Sequence, residues 1–210
     1  MIEFTTAAAP VEASYTEKRS EFIGQLFPVS DAAACQQIID SVRAKHHKAR
    51  HNVWAYRLRS GDVSRYSDDG EPQGTGGIPV LSVLQKAGLT DVLIVVTRYF
   101  GGVLLGASGL TRAYTEAAAR AAQTAEKLHY CEAFRVRLQT EYGMYGKVSY
   151  LLPEYGVIDA GSDFGEQVSL LFDIRTDCFP ALSARLTELF GGDSGLETLE
   201  THFAVFPAES

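Results

Sequence analysis

The sequence predicts an α+β protein in two parts, and three observations carry that prediction. Stretches in which apolar and polar residues alternate with period 2 are interleaved with stretches of helical periodicity. The charge changes character near residue 128. Residues 1–127 hold 14 Lys and Arg against 13 Asp and Glu, whereas residues 128–210 hold 5 against 13. Finally, 210 residues suffice for one large domain or two small ones with a genuine core. The division is expected at 128–132, giving parts 1–130 and 131–210.

In the first part, residues 22–29 read as a strand. Asp31 to about His46 reads as a helix with Cys35, Ile38, Ile39 and Val42 inward. Residues 51–59 alternate, placing Trp54, Tyr56 and Leu58 on one face and His51, Arg57 and Arg59 on the other. A glycine-rich loop is expected over 61–77 and a short helix from about Pro79. The fully apolar run Val92-Leu93-Ile94-Val95-Val96 predicts a central strand. A helix from about Gly109 to Lys127 follows. Seven of the 13 residues from Ala113 to Ala125 are alanine, so it can pack very close to a sheet.

The second part reads as strand 134–140, a helix over 143–152 closed by Pro153, a strand over 155–160, a turn at Gly161-Ser162-Asp163, and a strand carrying Val168, Leu170, Phe172 and Ile174. Asp177 is a candidate cap for a helix with Pro180 in its first turn and Gly191-Gly192 at its end. A last strand places Leu199, Thr201, Phe203 and Val205 on one face. The order β-α-β-β-α-β is the split-βαβ, or ferredoxin-like, arrangement. His129 and His202 read as surface residues.

Composition excludes several classes. Hydrophobic residues at 46% and charged residues at 21% are ordinary globular usage, not that of a disordered or fibrous chain. No apolar run has membrane-spanning length. Residues 1–10 lack the basic and apolar regions of a secretion signal. Cys35, Cys131 and Cys178 show no disulfide or zinc spacing, which fits a reducing compartment; a cytoplasmic protein without cofactor or metal is expected. The net charge of −7 argues against wholesale attraction to nucleic acid.

Ten of the 19 glycines lie between Gly61 and Gly109, eight of them in two loops. The first runs Ser67-Asp68-Asp69-Gly70-Glu71-Pro72-Gln73-Gly74-Thr75-Gly76-Gly77. Its three carboxylates suit a hard cation such as magnesium or, as readily, a solvated turn; the spacing is not that of an EF-hand. The second, Arg98-Tyr99-Phe100-Gly101-Gly102-Val103-Leu104-Leu105-Gly106-Ala107-Ser108-Gly109, follows a buried strand and opens a helix, where free N–H groups favour an anion. Arg98 suits phosphate and the two aromatics suit a base, but a tight turn with packed rings is an equal reading. It is neither a Walker A loop nor G-x-G-x-x-G.

These two motifs, in this order, resemble the Impact family and its bacterial YigZ-like branch. Lys18, Ser20, Phe22 and Ile23, and the strand containing Arg50-His51-Asn52 and Ala55-Tyr56-Arg57, add to the resemblance, which covers residues 15–127. Ser108 departs from it, since the family more often has glycine there. The resemblance implies a first domain like domain 2 of ribosomal protein S5 and a second like the last domain of elongation factor G. The eukaryotic relative regulates translation by competing with a kinase for that kinase's activator, partly through a module that this chain lacks.

The leading expectation is therefore a non-catalytic module that binds RNA or the ribosome. Its contact set is Lys18, Arg50, His51, Arg57, Ser67, Asp68, Asp69, Glu71, Thr75, Arg98, Tyr99, Phe100, Gly101, Gly102, Gly106 and Arg112. The rival is a phosphotransferase with magnesium on Asp68, Asp69 or Glu71, weakened by the lack of a loop lysine; a hydrolase built on Ser67 or Ser108 with His51 is weaker still. A third reading is a protein-binding regulator that docks through its acidic half.

Overall fold

A computed structural model describes residues 3–207. Met1 and Ile2, which begin the stretch read for a secretion signal, and residues 208–210 lie outside the described residues. The chain is a mixed α+β protein that separates into two compact units, Phe4–Leu128 and a second that joins Glu3 to the chain from His129 onward. Among the described residues no helix is long and apolar enough to cross a membrane.

In chain order the elements of the first unit are β1 (Glu3–Ala7), β2 (Val11–Glu17), β3 (Ser20–Pro28), α1 (Ala32–Lys45), β4 (His51–Leu58), β5 (Val63–Ser67), α2 (Gly77–Lys86), β6 (Val92–Tyr99) and α3 (Gly106–Thr124). The sheet order is β2-β3-β6-β4-β5, antiparallel throughout. β6 is central, as its unbroken apolar run requires. Its alternate residues serve two cores: Leu93 and Val95 pack with Cys35, Ile39 and Val42 of α1, while Val92, Ile94 and Val96 pack beneath α2 and α3. Both faces of β4 are covered too, because Val53 and Ala55 are as buried as Tyr56 and Leu58. Asp31 caps α1 by accepting from the Ala34 N–H at 2.8 Å.

The alanines of α3 allow the close approach that their small size predicts. Ala113, Ala117, Ala118, Ala121 and Ala122 are buried, and a Cβ on Gly24 of β3 would stand 2.4 Å from the Ala117 carbonyl oxygen. The expected loop at 61–77 proves to begin with a strand: β5 pairs with β4 from Val63 opposite Leu58 to Ser67 opposite Trp54. Glycines on either side masked that short strand. α2 starts two residues earlier than expected, at Gly77, and α3 three earlier, at Gly106.

The second unit continues with β7 (Lys127–Thr140), α4 (Tyr142–Leu151), a 3-10 turn at Leu152–Tyr155, β8 (Ile158–Phe164), β9 (Val168–Arg175), α5 (Phe179–Phe190) and β10 (Leu196–Phe206). The sheet has five strands, with β1 and β10 both beside β7 and the path continuing β7-β9-β8; the β10–β7, β7–β9 and β8–β9 pairings are antiparallel, so β9 is inserted between the two strands that α4 connects. Val136, Leu138, Val168, Leu170, Phe172 and Ile174 form its core with Val148, Leu182 and Leu186.

Four local expectations need correction here. Gly161 to Asp163 lie inside β8, and the turn falls at 165–167, where Gly165 N–H bonds the Gln167 carbonyl. Asp177 does not cap α5; Cys178 holds that position, and the Asp177 carboxylate accepts from Arg175 instead. In β10 a register shift between Thr198 and Glu200 displaces the alternation, so Leu199 and Val205 are exposed while Phe206 and Ala204 pack on Cys131 and Ala133. His202 is half-buried, with Nε2 3.2 Å from Asp173, which Arg135 also grips through two hydrogen bonds of 2.9 Å. Burial alone would raise the Asp173 carboxyl, but the Arg135 hydrogen bonds and the neighbouring positive charges outweigh it and hold the group below the usual carboxylate range.

The Gly24 contact generates a prediction. Gly24→Ala must lift α3 off β3, costing about 3 kcal/mol. Urea unfolding followed by the fluorescence of Trp54, the single tryptophan, reads that loss directly.

Candidate functional site: two glycine-rich loops joined by a buried carboxylate

The alternation that organises β6 also sorts its last residues. Arg98 continues the Ile94 and Val96 side, beneath α3, while Tyr99 continues the Leu93 and Val95 side, where its hydroxyl lies 2.9 Å from Nδ1 of His46 at the end of α1. Tyr99 and Arg98 therefore point to opposite faces, and Tyr99 cannot stack on a group held by Arg98. Burial, then the charge of Lys45, hold the His46 imidazole below its ordinary pKa.

Arg98 itself is 8% exposed and donates through one terminal nitrogen to Glu71 Oε1 at 2.7 Å. Tyr114, from the middle of α3, donates its hydroxyl to the same oxygen at 2.7 Å. Burial, then the Glu71 charge, push the Tyr114 phenol far above its usual range, so it remains a donor. The guanidinium lies 5.5 Å from the ring centres of both Phe22 and Phe100, one buried and one exposed. Glu71 thus ties the acidic loop to the end of β6 and to α3.

The other two carboxylates of the first loop fold it. Asp68 accepts the N–H groups of Gly74, Gly76 and Gly77 at 2.8 to 3.0 Å. Asp69 takes the Asn52 N–H at 2.7 Å on one oxygen and pairs with Arg43 of α1 on the other. Thr75 donates to the Pro72 carbonyl, and Ser67 accepts from the Asp69 N–H. Each of the three acids is thus engaged within the fold, and among the described residues they do not form a group of three ligating atoms within 4.8 Å of one another. Among the described residues, the cluster of His, Cys and acid groups with ligating atoms within 4.8 Å is Glu3, His129 and Cys131, which no sequence spacing announced.

His51 sits opposite Arg98 across β4 and β6, and its Nδ1 is 2.9 Å from the Asp69 carbonyl. Arg57 does not join it. Six residues along the same strand, about 20 Å away, Arg57 donates to the Leu89 carbonyl. Arg50 is exposed at the strand's entry.

The second loop rests on the turn between β2 and β3. Lys18 and Arg19 form that turn with φ of 46° and 69°. Gly101 packs so tightly there that a Cβ would stand 2.0 Å from the Arg19 carbonyl carbon, and its N–H bonds the Ser20 hydroxyl at 3.1 Å. Gly102 and Gly106 take φ of 87° and 72°, turning the chain into α3. No side chain caps the first turn of α3. Beside it opens a cavity of about 180 Å³ lined by Tyr15, Glu17, Lys18, Leu105, Gly109 and Arg112. Glu17 is engaged by the Tyr15 hydroxyl at 2.7 Å, whereas Lys18 and Arg112 make no ion pair among the described residues. Phe100 and Leu104 project from the loop, Leu104 being 84% exposed.

The structure therefore brings His51, Asp69, Glu71, Arg98, Phe100 and Gly101 to one end of the sheet, and Lys18 and Arg112 to one cavity. Sequence reading missed Tyr114, Arg43 and Asn52. A tyrosine in an alanine-rich helix reads as core, and nothing local announces that its hydroxyl seeks a carboxylate 43 residues away.

Asp68 supplies a pH prediction. Burial raises its carboxyl, but the three glycine N–H groups outweigh burial and lower it from the usual 3.8. A depressed folded-state pKa means stabilisation that is full above the unfolded value and lost as pH falls through the folded one. Asp68→Asn should therefore be less stable than the parent at neutral pH, with the difference vanishing on acidification below 3.8. Thermal melts across a pH series check this.

Comparison with known proteins fits this geometry. The family described as "Impact N-terminal domain" matches residues 18–122, and one described as a domain of unknown function, DUF1949, matches 138–193. An IMPACT family member from Haemophilus influenzae is 32% identical, over 95% of this chain and 98% of its own. The Escherichia coli member YigZ is 33% identical, over 92% and 96%. A solved structure described only as a hypothetical protein superposes with a TM-score of 0.60 at 29% identity, with both chains fully covered. The Impact N-terminal match spans both joined loops, and the chain belongs to the Impact family.

Proposed function

We propose that the first unit is a non-catalytic module that binds an RNA phosphate backbone, free or on the ribosome, and that the protein acts through it as a cytoplasmic regulator of translation. The observation that carries the reading is the cavity beside α3. Lys18 and Arg112, which make no ion pair among the described residues, line it with one acid, Glu17, at an uncapped helix start, where free N–H groups and the helix dipole favour a phosphate. Phe100, 51% exposed on the neighbouring loop, offers a ring face for a base. The net charge of −7 keeps the interaction local, since few phosphates can be neutralised. The Impact resemblance supports the regulatory role, its eukaryotic member being a regulator of translation.

In this reading Arg98 supports the site from beneath, so the informative variants are at the cavity. Purified ribosomes should pellet the protein at low salt and release it as salt rises. Lys18→Glu and Arg112→Glu should each weaken pelleting, and the double variant should abolish it. No pelleting of the parent chain at any salt, or full pelleting of the double variant, would sink the proposal.

A further inference from the structure

The second unit has a cavity of its own, about 300 Å³, between α4 with its 3-10 turn and strands β8 and β9. Leu152, Val157 and Phe172 give it apolar walls, and Tyr145, Ser149 and Asp159 line it with polar groups. The surface at its edge is aromatic. Tyr145 meets Phe164 edge-on with ring centres 5.5 Å apart, and Phe164 is 52% exposed. Tyr142, 55% exposed, is fixed by a 2.9 Å hydrogen bond from its hydroxyl to the Gly165 carbonyl. Gly143 and Gly146 leave much of the outer face of α4 bare, with no atom within 4 Å of where a Cβ would stand. Two glycines inside a ten-residue helix weaken it by about 1 kcal/mol each, and nothing among the described residues crowds their positions.

Acids outnumber bases around this cavity, Lys147 of α4 being the one exposed lysine of the unit. Glu141, Glu154 and Glu166 are exposed and make no ion pair among the described residues. The arginines of this unit are spoken for: Arg135 by Asp173, Arg137 by Glu197, Arg175 by Asp177 and Arg185 by Glu188. A pocket with an apolar wall, exposed ring faces and a carboxylate matches a cation carried on a hydrocarbon stem. The stem packs on Leu152 and Phe172, and the rings and Asp159 hold the charge. The same field repels a phosphate backbone.

We infer that the second unit docks a basic protein segment on the α4–β8 surface, with one arginine or lysine side chain entering the cavity to pair with Asp159. This interaction is independent of the cavity beside α3.

The test uses the full chain and a fluorescent, end-blocked peptide of alternating arginine and glycine, with a glutamate-for-arginine peptide as control. The arginine peptide should bind and the control should not. Asp159→Asn keeps an oxygen for the Gly161 N–H that Asp159 now accepts at 3.0 Å, so the fold is retained. It should weaken binding about fivefold, the upper end for a half-exposed ion pair. Ser149→Trp, filling the cavity from an exposed helix position, should weaken it further, while Lys18→Glu with Arg112→Glu should leave it unchanged. Absence of binding, or equal affinity in Asp159→Asn, would each overturn the inference.

Discussion

Glu71 holds the first unit's functional end together. Its side chain is 3% exposed, and one oxygen receives both the Arg98 guanidinium and the Tyr114 hydroxyl. A carboxylate removed from water this far is stable only while both donors remain, and an isolated buried charge costs several kcal/mol. The acidic loop, the end of the central strand and the alanine-rich helix are therefore constrained to one arrangement. The loop's other acids extend it: Asp68 gathers three glycine N–H groups, and Asp69 spans from β4 to α1. Residues that look like metal ligands in the sequence are the internal fasteners of a backbone surface.

That exchange of roles marks the boundary of what the sequence discloses. Binary pattern was sufficient for the five-residue apolar run of β6, for the inward face of α1 and for the β-α-β-β-α-β order of the second unit, because burial there follows from local periodicity. Pattern was insufficient where a partner is remote. Whether Arg98 clamps a ligand or serves Glu71 depends on a contact 27 residues away, and motif resemblance does not distinguish the two. The turn between β2 and β3 shows the same limit. Lys18-Arg19 lacks the glycine or asparagine expected in a two-residue hairpin turn, so its position against Gly101 had no local signal. β10 misled for another reason: a single register shift at Leu199 exchanges inside for outside beyond it.

The two units present opposite chemistries. In the first, Arg43, Arg59, Arg98 and Arg120 are paired with carboxylates, while Lys18 and Arg112, which make no ion pair among the described residues, line the cavity beside α3. In the second, the four arginines are paired, and the groups that make no ion pair among the described residues are several acids and a single lysine, Lys147. Unpaired charge, more than total charge, separates an anion-binding surface from a cation-binding one. The joined loops matter to the first of these because Gly101 seats the Lys18-Arg19 turn while Arg98, three residues earlier, anchors the same segment to Glu71.

The most direct test of this account is a double-mutant cycle on stability with Arg98→Met and Glu71→Gln, measured by urea unfolding at neutral pH. Each single change should cost about 3 kcal/mol, because it strands a buried charge, and the double variant should cost about the same as either one. Additive losses in the double variant would contradict the account, since Arg98 and Glu71 would then be stabilised independently and the loops would not depend on their union.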